Sequence, residues 1–439
     1  MATTTSRRVA DSDRTSVDSV IASNPGALRE AAGYLDMVQS GFGFLRTWDT
    51  DDPNGAMRPK GGDDIYIAGD QMRATGARHG DYLVIQAGPP ETDDRNWKTL
   101  KVVTVNGMTP EQALARVKFD DDSQSKPTRP NEWMQLAVPE APHLTCNRLI
   151  DLFAPIGFGQ RALVFAPPDS GKSTLLLEVA AGVLIQHKDA LLLVILVGER
   201  PEEITDTHDW IRRLIRKYKL DPDRYRMIAA SFKRPTADWV AAAKNGLEWA
   251  KRQAEGGKKV VVLFDSITRF GEGINSTLPP GGRTLSGGLD TEAEFPLRNA
   301  FGSGALLGNG GSVTLIATCL IDTPSKLDAV IAEKMYGTSN CAIVLDPLMA
   351  QYAEFPAIDA IGSSTRHANL FVGQTYWDQM VAIRGHLVDT ISALGGYDKD
   401  GKIVHKNVRT IMRQVLDGLK ATPNNETYLT KALTLSKKS

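Results

Sequence analysis

Cysteine is scarce in this chain: 439 residues hold three, Cys146, Cys319 and Cys341, far apart and odd in number. Without a C-x-x-C pair they exclude a disulfide framework and argue against a zinc site, and they fit a reducing, cytoplasmic setting. Long apolar runs are missing too. The longest, Ala190 to Val197, is far short of the roughly 20 residues that span a bilayer. The first residues, MATTTSRRVADSD, lack the apolar centre of a signal peptide. Net charge is almost absent, with 51 basic against 52 acidic side chains, so no global basic field awaits a polyanion and any nucleic-acid site must be local. At 42% hydrophobic residues the composition is that of a globular protein, not of a disordered or fibrous one.

Two kinds of pattern divide the chain. Residues 1–30 are rich in Ser, Thr, Asp and Arg and read as a flexible tail. Between 31 and 105 short alternating apolar segments (Tyr34 to Val38, Phe42 to Leu45, Ile65 to Ile67, Tyr82 to Ile85, Leu100 to Val105) are separated by Gly, Pro, Asp and Asn. That spacing predicts a small all-β barrel. Residues 106–143 read as a connector with one short helix, Pro110 to Val117. From 144 to 439 continuous apolar runs (Ala162 to Phe165, Leu191 to Val197, Val260 to Phe264, Val313 to Ala317, Ala342 to Leu345) alternate with helical stretches such as Thr174 to His187 and Ala237 to Ala254. Strands buried on both faces and joined by helices predict an α/β domain with a parallel sheet.

The run Ala162 to Thr174 is a strand, a tight loop and a helix start, and its loop, Ala166-Pro-Pro-Asp-Ser-Gly-Lys-Ser-Thr174, is a P-loop with alanine at the first glycine position. Pro168, Asp169, Ser170, Gly171, Lys172, Ser173 and Thr174 are the expected phosphate-binding residues, Lys172 as a point charge and Ser173 as a Mg²⁺ ligand. Asp265 ends the apolar run from Val260, as suits a carboxylate that holds Mg²⁺. Glu199 follows the run from Leu191, where a general base can orient an attacking water. Nucleotide, ATP with Mg²⁺, is the expected cofactor set.

With these residues in view the sequence resembles the Rho family of bacterial transcription terminators, ring-forming RNA-dependent ATPases and helicases. The resemblance rests on Gly41-Phe-Gly-Phe-Leu-Arg46, Asp63-Asp-Ile-Tyr66, Gly159-Gln-Arg161 with the P-loop, Glu199-Arg-Pro-Glu-Glu203, Asp265-Ser-Ile-Thr-Arg269, Leu285-Ser-Gly-Gly-Leu-Asp290, Leu320 to Lys326 and Phe355-Pro-Ala-Ile-Asp359, in the family's order. It implies a RecA-like P-loop NTPase domain preceded by a small OB or cold-shock-like barrel. By the same resemblance Glu199 is the catalytic base, Arg200 its coupling neighbour, Asp265 the Walker-B acid, Arg269 a residue near the nucleotide, Phe355 the ring that stacks on adenine, and Arg366 an arginine finger reaching a neighbour's ATP.

The same resemblance makes Phe42, Phe44 and Tyr66 base-stacking rings, with Arg46, Asp64 and Arg73 as polar contacts, and Arg283 and Lys326 RNA contacts on loops that line a central channel. The implied partners are single-stranded, pyrimidine-rich RNA, a homohexameric ring and the RNA polymerase elongation complex, with no membrane. From spacing alone, alternating aromatics in a small barrel read as core before they read as a binding face, and it is the resemblance that reverses this. Because acidic residues outnumber basic ones between 31 and 105, RNA binding there is expected to rest on stacking and to depend weakly on salt. Three positions depart from the family pattern: Asp169 where lysine is usual, a basic Phe232-Lys-Arg-Pro235 where the loop is usually acidic, and fewer than 35 residues ahead of the barrel. Two other readings stay open, a RecA-like ring ATPase not driven by RNA and an RNA-binding scaffold with impaired hydrolysis.

Overall fold

The computed structural model describes residues 29–38, 41–54, 56–57, 64–90, 96–279, 288–393 and 405–436. The chain packs as two compact units, the first ending at Arg116 and the second beginning at Val117.

In the first unit five strands close into a barrel in the order β1-β2-β3-β5-β4. They are β1 (Arg29–Met37), β2 (Gly43–Arg46), β3 (Ile65–Ile67), β4 (Tyr82–Gly88) and β5 (Trp97–Val105). Period-two patterning does the folding work: Leu35, Leu45, Ile65, Ile67, Leu83, Ile85, Val102 and Val105 turn inward into one core. Gly43 sits on the inner side of β2, where a Cβ would come within 2.6 Å of the Leu35 Cδ1, so glycine is required for the barrel to close there. A helix, Gly69–Thr75, joins β3 to β4, the arrangement of an OB fold. Arg116 closes the unit by a buried pair with Asp81, at 2.7 and 2.8 Å.

The second unit is built on a sheet ordered β13-β12-β6-β11-β9-β7-β8. Its strands are β6 (Arg161–Ala166), β7 (Ala190–Glu199), β8 (Tyr225–Ser231), β9 (Lys259–Asp265), β11 (Ser312–Leu320), β12 (Cys341–Val344) and β13 (Ser364–Thr365), with the short β10 (Ala305–Leu306) paired to β11. All neighbours run parallel except β13 against β12 and β10 against β11. Helices Lys172–Gln186, Pro201–Tyr218 and Thr236–Glu255 form the crossovers, and the central strands are buried along nearly their whole length, as parallel strands covered on both faces must be. This is the parallel sheet, covered on both faces, that the apolar runs predict.

Residues 117–143 belong to this unit as well. Thr128 bridges to Leu306 and Trp133 to Gly157, the Phe119 N–H donates to Glu255 at 2.8 Å, and the Leu136 and Ala137 N–H groups donate to the buried Asp151 carboxylate. No helix among the described residues is long and apolar enough to cross a membrane.

Candidate nucleotide and RNA sites

Parallel strands place their functional residues at one edge, the carboxyl ends, where loops and helix N-termini meet. Ala166 ends β6 and the loop Pro167 to Gly171 leads into the helix Lys172–Gln186. Ser170 is buried and its Oγ donates to the Pro167 carbonyl at 2.6 Å, which braces the loop. Gly171 is the N-cap residue with φ of 87° and offers no side-chain cap, so the N–H groups of the helix's first turn remain directed at the loop, a ready anion cradle. Asp169 also adopts a left-handed conformation, φ 57°, which a short polar side chain tolerates. Pro168 and Asp169 are exposed.

Lys172 is the centre of the site. Its Nζ donates to Glu199 Oε1 at 2.9 Å and to both oxygens of Asp265, at 2.9 and 2.8 Å. Glu199 ends β7 and Asp265 ends β9, two adjacent strands, so the fold itself delivers both carboxylates to the lysine. Thr318, from β11 on the other side of β9, donates to Asp265 Oδ1 at 2.6 Å.

Burial pushes the Asp265 carboxyl above its ordinary value, opposed by Lys172 and reinforced by Glu199. Glu199 is raised too, by burial first, with Lys172 opposing and Glu203 adding to it. Burial alone would lower Lys172, but the two carboxylates outweigh it and hold the ammonium above its usual value. Ser173 and Asp265 line one pocket with Glu199, Glu203 and Thr207. One hydroxyl and one carboxylate beside a phosphate cradle fit a Mg²⁺ ion, which keeps waters and takes few protein ligands. Among the described residues no group of three or more His, Cys, Asp or Glu forms a separate metal site.

Around the cradle the other candidates fall in distinct places. Phe355, half exposed, brings its ring to the P-loop: a Cβ on Gly171 would lie 3.1 Å from two of its carbons. With Thr145, Cys146, Ser170, Thr174, Glu178 and Pro356 it lines a second pocket beside the loop. Thr145, Cys146 and Glu178 carry no motif, and sequence reasoning missed them. Glu178 accepts from the Cys146 N–H at 2.8 Å, and burial pushes its carboxyl up to about 7 against the pull of that bond.

Arg200 is the N-cap residue of the helix Pro201–Tyr218, exposed, with an ion pair to Glu203 at 3.5 Å. Arg269 donates to both Glu272 oxygens, at 3.0 and 2.8 Å. Arg366 stands apart. Its N–H donates to the Asn340 carbonyl, and Thr365 is opposite Cys341, itself opposite Ala162. It is therefore level with the start of β6, about 15 Å along the strands from the P-loop end, and the chain's own cradle is out of its line.

Lys326 is exposed at the first position of the helix Lys326–Thr338, capped by Ser325. A cation at a helix N-terminus opposes the helix dipole, so local stability does not account for this lysine. Arg283, with the loop 280–287, lies outside the described residues.

On the barrel, Phe42, Phe44 and Tyr66 come together, their ring centroids 5.7, 5.5 and 6.1 Å apart pairwise. None of them joins the barrel core, so the core alternative for these rings does not hold. Arg46 and Asp64 are both buried and form an ion pair with each other. Arg46 also bonds Asp36 at 3.1 Å and lies over the Phe44 ring at 4.8 Å. These two residues thus brace the ring cluster, whereas Arg73 is exposed on the barrel helix.

Comparison with known proteins agrees with both halves. Residues 31–111 match the Rho termination factor RNA-binding domain, and residues 147–365 match the nucleotide-binding domain of the ATP synthase alpha/beta family. The transcription termination factor Rho of Borreliella burgdorferi is 36% identical over 90% of this chain and 70% of its own length. That of Bacillus subtilis is 37% identical over 82% and 78%, and that of Pseudomonas aeruginosa 36% over 82% of each. A solved ATPase from the type III secretion system of pathogenic bacteria shares the fold, with a TM-score of 0.52 at 20% identity over 71% of this chain and 88% of that one. The chain belongs to the transcription termination factor Rho family, as an ATP-hydrolysing enzyme that joins an RNA-binding barrel to a RecA-like nucleotide-binding domain.

Proposed function

We propose that this chain is an RNA-dependent ATP motor of transcription termination. It binds nascent, pyrimidine-rich single-stranded RNA on its barrels, draws it through a homohexameric ring and releases it from the RNA polymerase elongation complex in the cytoplasm. Residues 31–105 are taken as the RNA-binding domain, which 106–116 complete, and 144–439 as the ATPase domain, which 117–143 join. The observation that carries the reading is the presence, in one chain, of an outward aromatic cluster at Phe42, Phe44 and Tyr66 and of the Lys172, Glu199 and Asp265 triad at a phosphate cradle.

In this mechanism the P-loop N–H groups and Lys172 hold the phosphates of ATP, and Phe355 stacks on the base. Ser173 and Asp265 would hold Mg²⁺, which supplies neutralising charge to the phosphates when bound. A γ-phosphate competes with Glu199 and Asp265 for the Lys172 ammonium. As the lysine turns to phosphate, Glu199 is released to orient the attacking water and take its proton. Arg366, out of line with its own cradle, serves a neighbouring subunit and ties turnover to ring geometry. Arg200 and Arg269 flank the base and relay its state, and Lys326 and Arg283 grip the RNA backbone in the channel.

The test is transcript release. Purified chain and ATP added to stalled elongation complexes with a pyrimidine-rich transcript should free the RNA, and Glu199→Gln should abolish release while RNA stays bound. Release without ATP, or undiminished release by Glu199→Gln, would refute the mechanism. The likeness to the secretion ATPase concerns the fold alone, so the RNA-independent reading has no observation of its own.

A further inference from the structure

The outer face of the barrel carries a second group of rings, gathered from three separate segments. Across β1 and β2, Tyr34 stands opposite Arg46 and Asp36 opposite Phe44. Across β2 and β3, Phe44 stands opposite Tyr66, and across β1 and β4, Tyr34 stands opposite Tyr82. Directly opposed residues share a face, as do residues two apart on a strand. Tyr82, Tyr34, Asp36, Arg46, Phe44 and Tyr66 therefore lie on one face across four neighbouring strands. Leu35, Leu45, Ile65 and Leu83 fill the opposite, inner face.

Tyr34 lies 5.0 Å from Tyr82 at 58° and 5.3 Å from Trp48 at 69°. Trp48 is 9% exposed, Tyr82 36%, and Tyr34 is half-buried. Trp48 is thus a buried support for the Tyr34 ring, which in turn packs on Tyr82. The Tyr82 N–H is held by Asn106 Oδ1 at 2.8 Å, which fixes the strand under the ring. Between this group and Phe44 runs a polar bridge: Arg46 bonds Asp36 at 3.1 Å, and His79 faces the same carboxylate at 3.8 Å. Arg46 also lies over the Phe44 ring, so the two ring groups are joined side to side.

From β4 to β3 the face spans three strand spacings, about 14 Å. Every residue on it falls within the segment that matches the Rho RNA-binding domain. The barrel sequence is acid-rich, so a longer RNA track has to be made of stacking surfaces, which accept any base.

We propose that Tyr34 and Tyr82, backed by Trp48, form a second stacking platform that carries one or two further bases of single-stranded RNA beyond those on Phe42, Phe44 and Tyr66. This extension rests on the RNA-binding reading of the barrel, and its occupant is the same strand continuing across the sheet. Asp36, between the platforms, offers its carboxylate lone pairs to a base edge passing over it.

The experiment measures binding of labelled oligocytidylates, one short enough to fill only the Phe42–Phe44–Tyr66 platform and one several nucleotides longer, to the full chain and to Tyr82→Leu, Tyr82→Phe and Phe44→Leu. Tyr82→Leu should bind the long oligonucleotide about tenfold more weakly and the short one as the wild type does. Tyr82→Phe should match the wild type on both, and Phe44→Leu should lose affinity for both. On the unmodified chain, a 5-iodouridine placed along the long oligonucleotide should photo-crosslink to Tyr82 or Tyr34.

Wild-type binding of both lengths by Tyr82→Leu, with Phe44→Leu impaired, overturns the second platform and leaves RNA binding intact. Equal losses on both lengths, crosslinks confined to Phe42, Phe44 and Tyr66, or a change only in self-association overturn it too. Should Phe44→Leu bind both lengths as the wild type does, the RNA reading of the barrel fails first.

Discussion

Replacing Lys172 with methionine strips the only cation that contacts two carboxylates in the nucleotide site among the described residues. One ammonium makes three bonds of 2.8 to 2.9 Å, two of them to Asp265. Adding them as independent charge-assisted bonds at roughly 1.5–3 kcal/mol each overshoots, because two share one carboxylate. The better guide is the cost of removing one partner of a buried pair, about 3–5 kcal/mol. The Lys172 side chain is 21% exposed while those of Asp265 and Glu199 are 5% and 14%, so solvent screening favours the lower end, about 3 kcal/mol. The Thr318 bond to Asp265 is unaffected.

Lys172→Met is therefore expected to lower the denaturant midpoint of the ATPase unit as well as to abolish ATP binding. Lys172→Met/Asp265→Asn should recover most of the lost midpoint, because the second change removes the stranded charge. Tryptophan fluorescence during urea unfolding of wild type, both single variants and the double variant completes the cycle. An unchanged midpoint in Lys172→Met, or additive losses in the double variant, would refute the reasoning.

Phe355→Ala should weaken ATP binding about tenfold with kcat little changed at saturation, measured by nucleotide titration, since the ring touches the cradle and not the acidic pair. Asp151 is fully buried and its carboxyl is pushed up to about 7 by burial, against the Ala137 and Leu136 N–H groups. The folded chain thus holds this proton more tightly than the unfolded one, so the stability it contributes is complete below about pH 4 and is lost as pH rises through 7. Asp151→Asn should abolish a pH-dependent loss on the order of 4 kcal/mol, read as variant and wild-type midpoints that coincide at low pH, separate between about pH 4 and 7 and stay a constant distance apart above it. Midpoints parallel throughout would contradict it. Lys326→Ala should lose RNA-stimulated ATPase and keep nucleotide affinity, and undiminished stimulation would remove Lys326 from the RNA path.

Much of the ATPase fold is legible because parallel strands covered on both faces leave continuous apolar runs, and the runs ending at Glu199 and Asp265 mark the catalytic edge directly. β8 went unread: Tyr225–Ser231 is short and opens with Tyr and Arg, which leaves only Met227 to Ala230 as a continuous apolar run. β1 begins at Arg29, inside a stretch whose composition suggests a tail, because its first residues earn their place by pairing with β4 rather than by apolar pattern. Arg46 and Asp64 are polar RNA contacts by resemblance, and the barrel also pairs them with each other beside Phe44. Charge type and spacing do not reveal whether a side chain faces solvent or a neighbour. Glu178 and Cys146 reach the pocket beside Phe355 from helices distant in sequence, and Tyr34, Trp48 and Tyr82 meet only through strand register. Such juxtapositions are products of tertiary pairing and leave no local trace.

The central claim is that RNA on the barrel and in the channel drives ATP hydrolysis at the Lys172 cradle. The direct measurement is the ATPase rate of the full chain with and without polycytidylic acid, alongside Phe44→Ala and Asp169→Lys. Strong stimulation by RNA that Phe44→Ala shifts to higher RNA concentration, with Asp169→Lys raising nucleotide affinity, is the predicted result. Turnover indifferent to RNA would contradict the account in favour of an RNA-independent ring ATPase, and RNA binding with no turnover, even in Asp169→Lys, in favour of a scaffold.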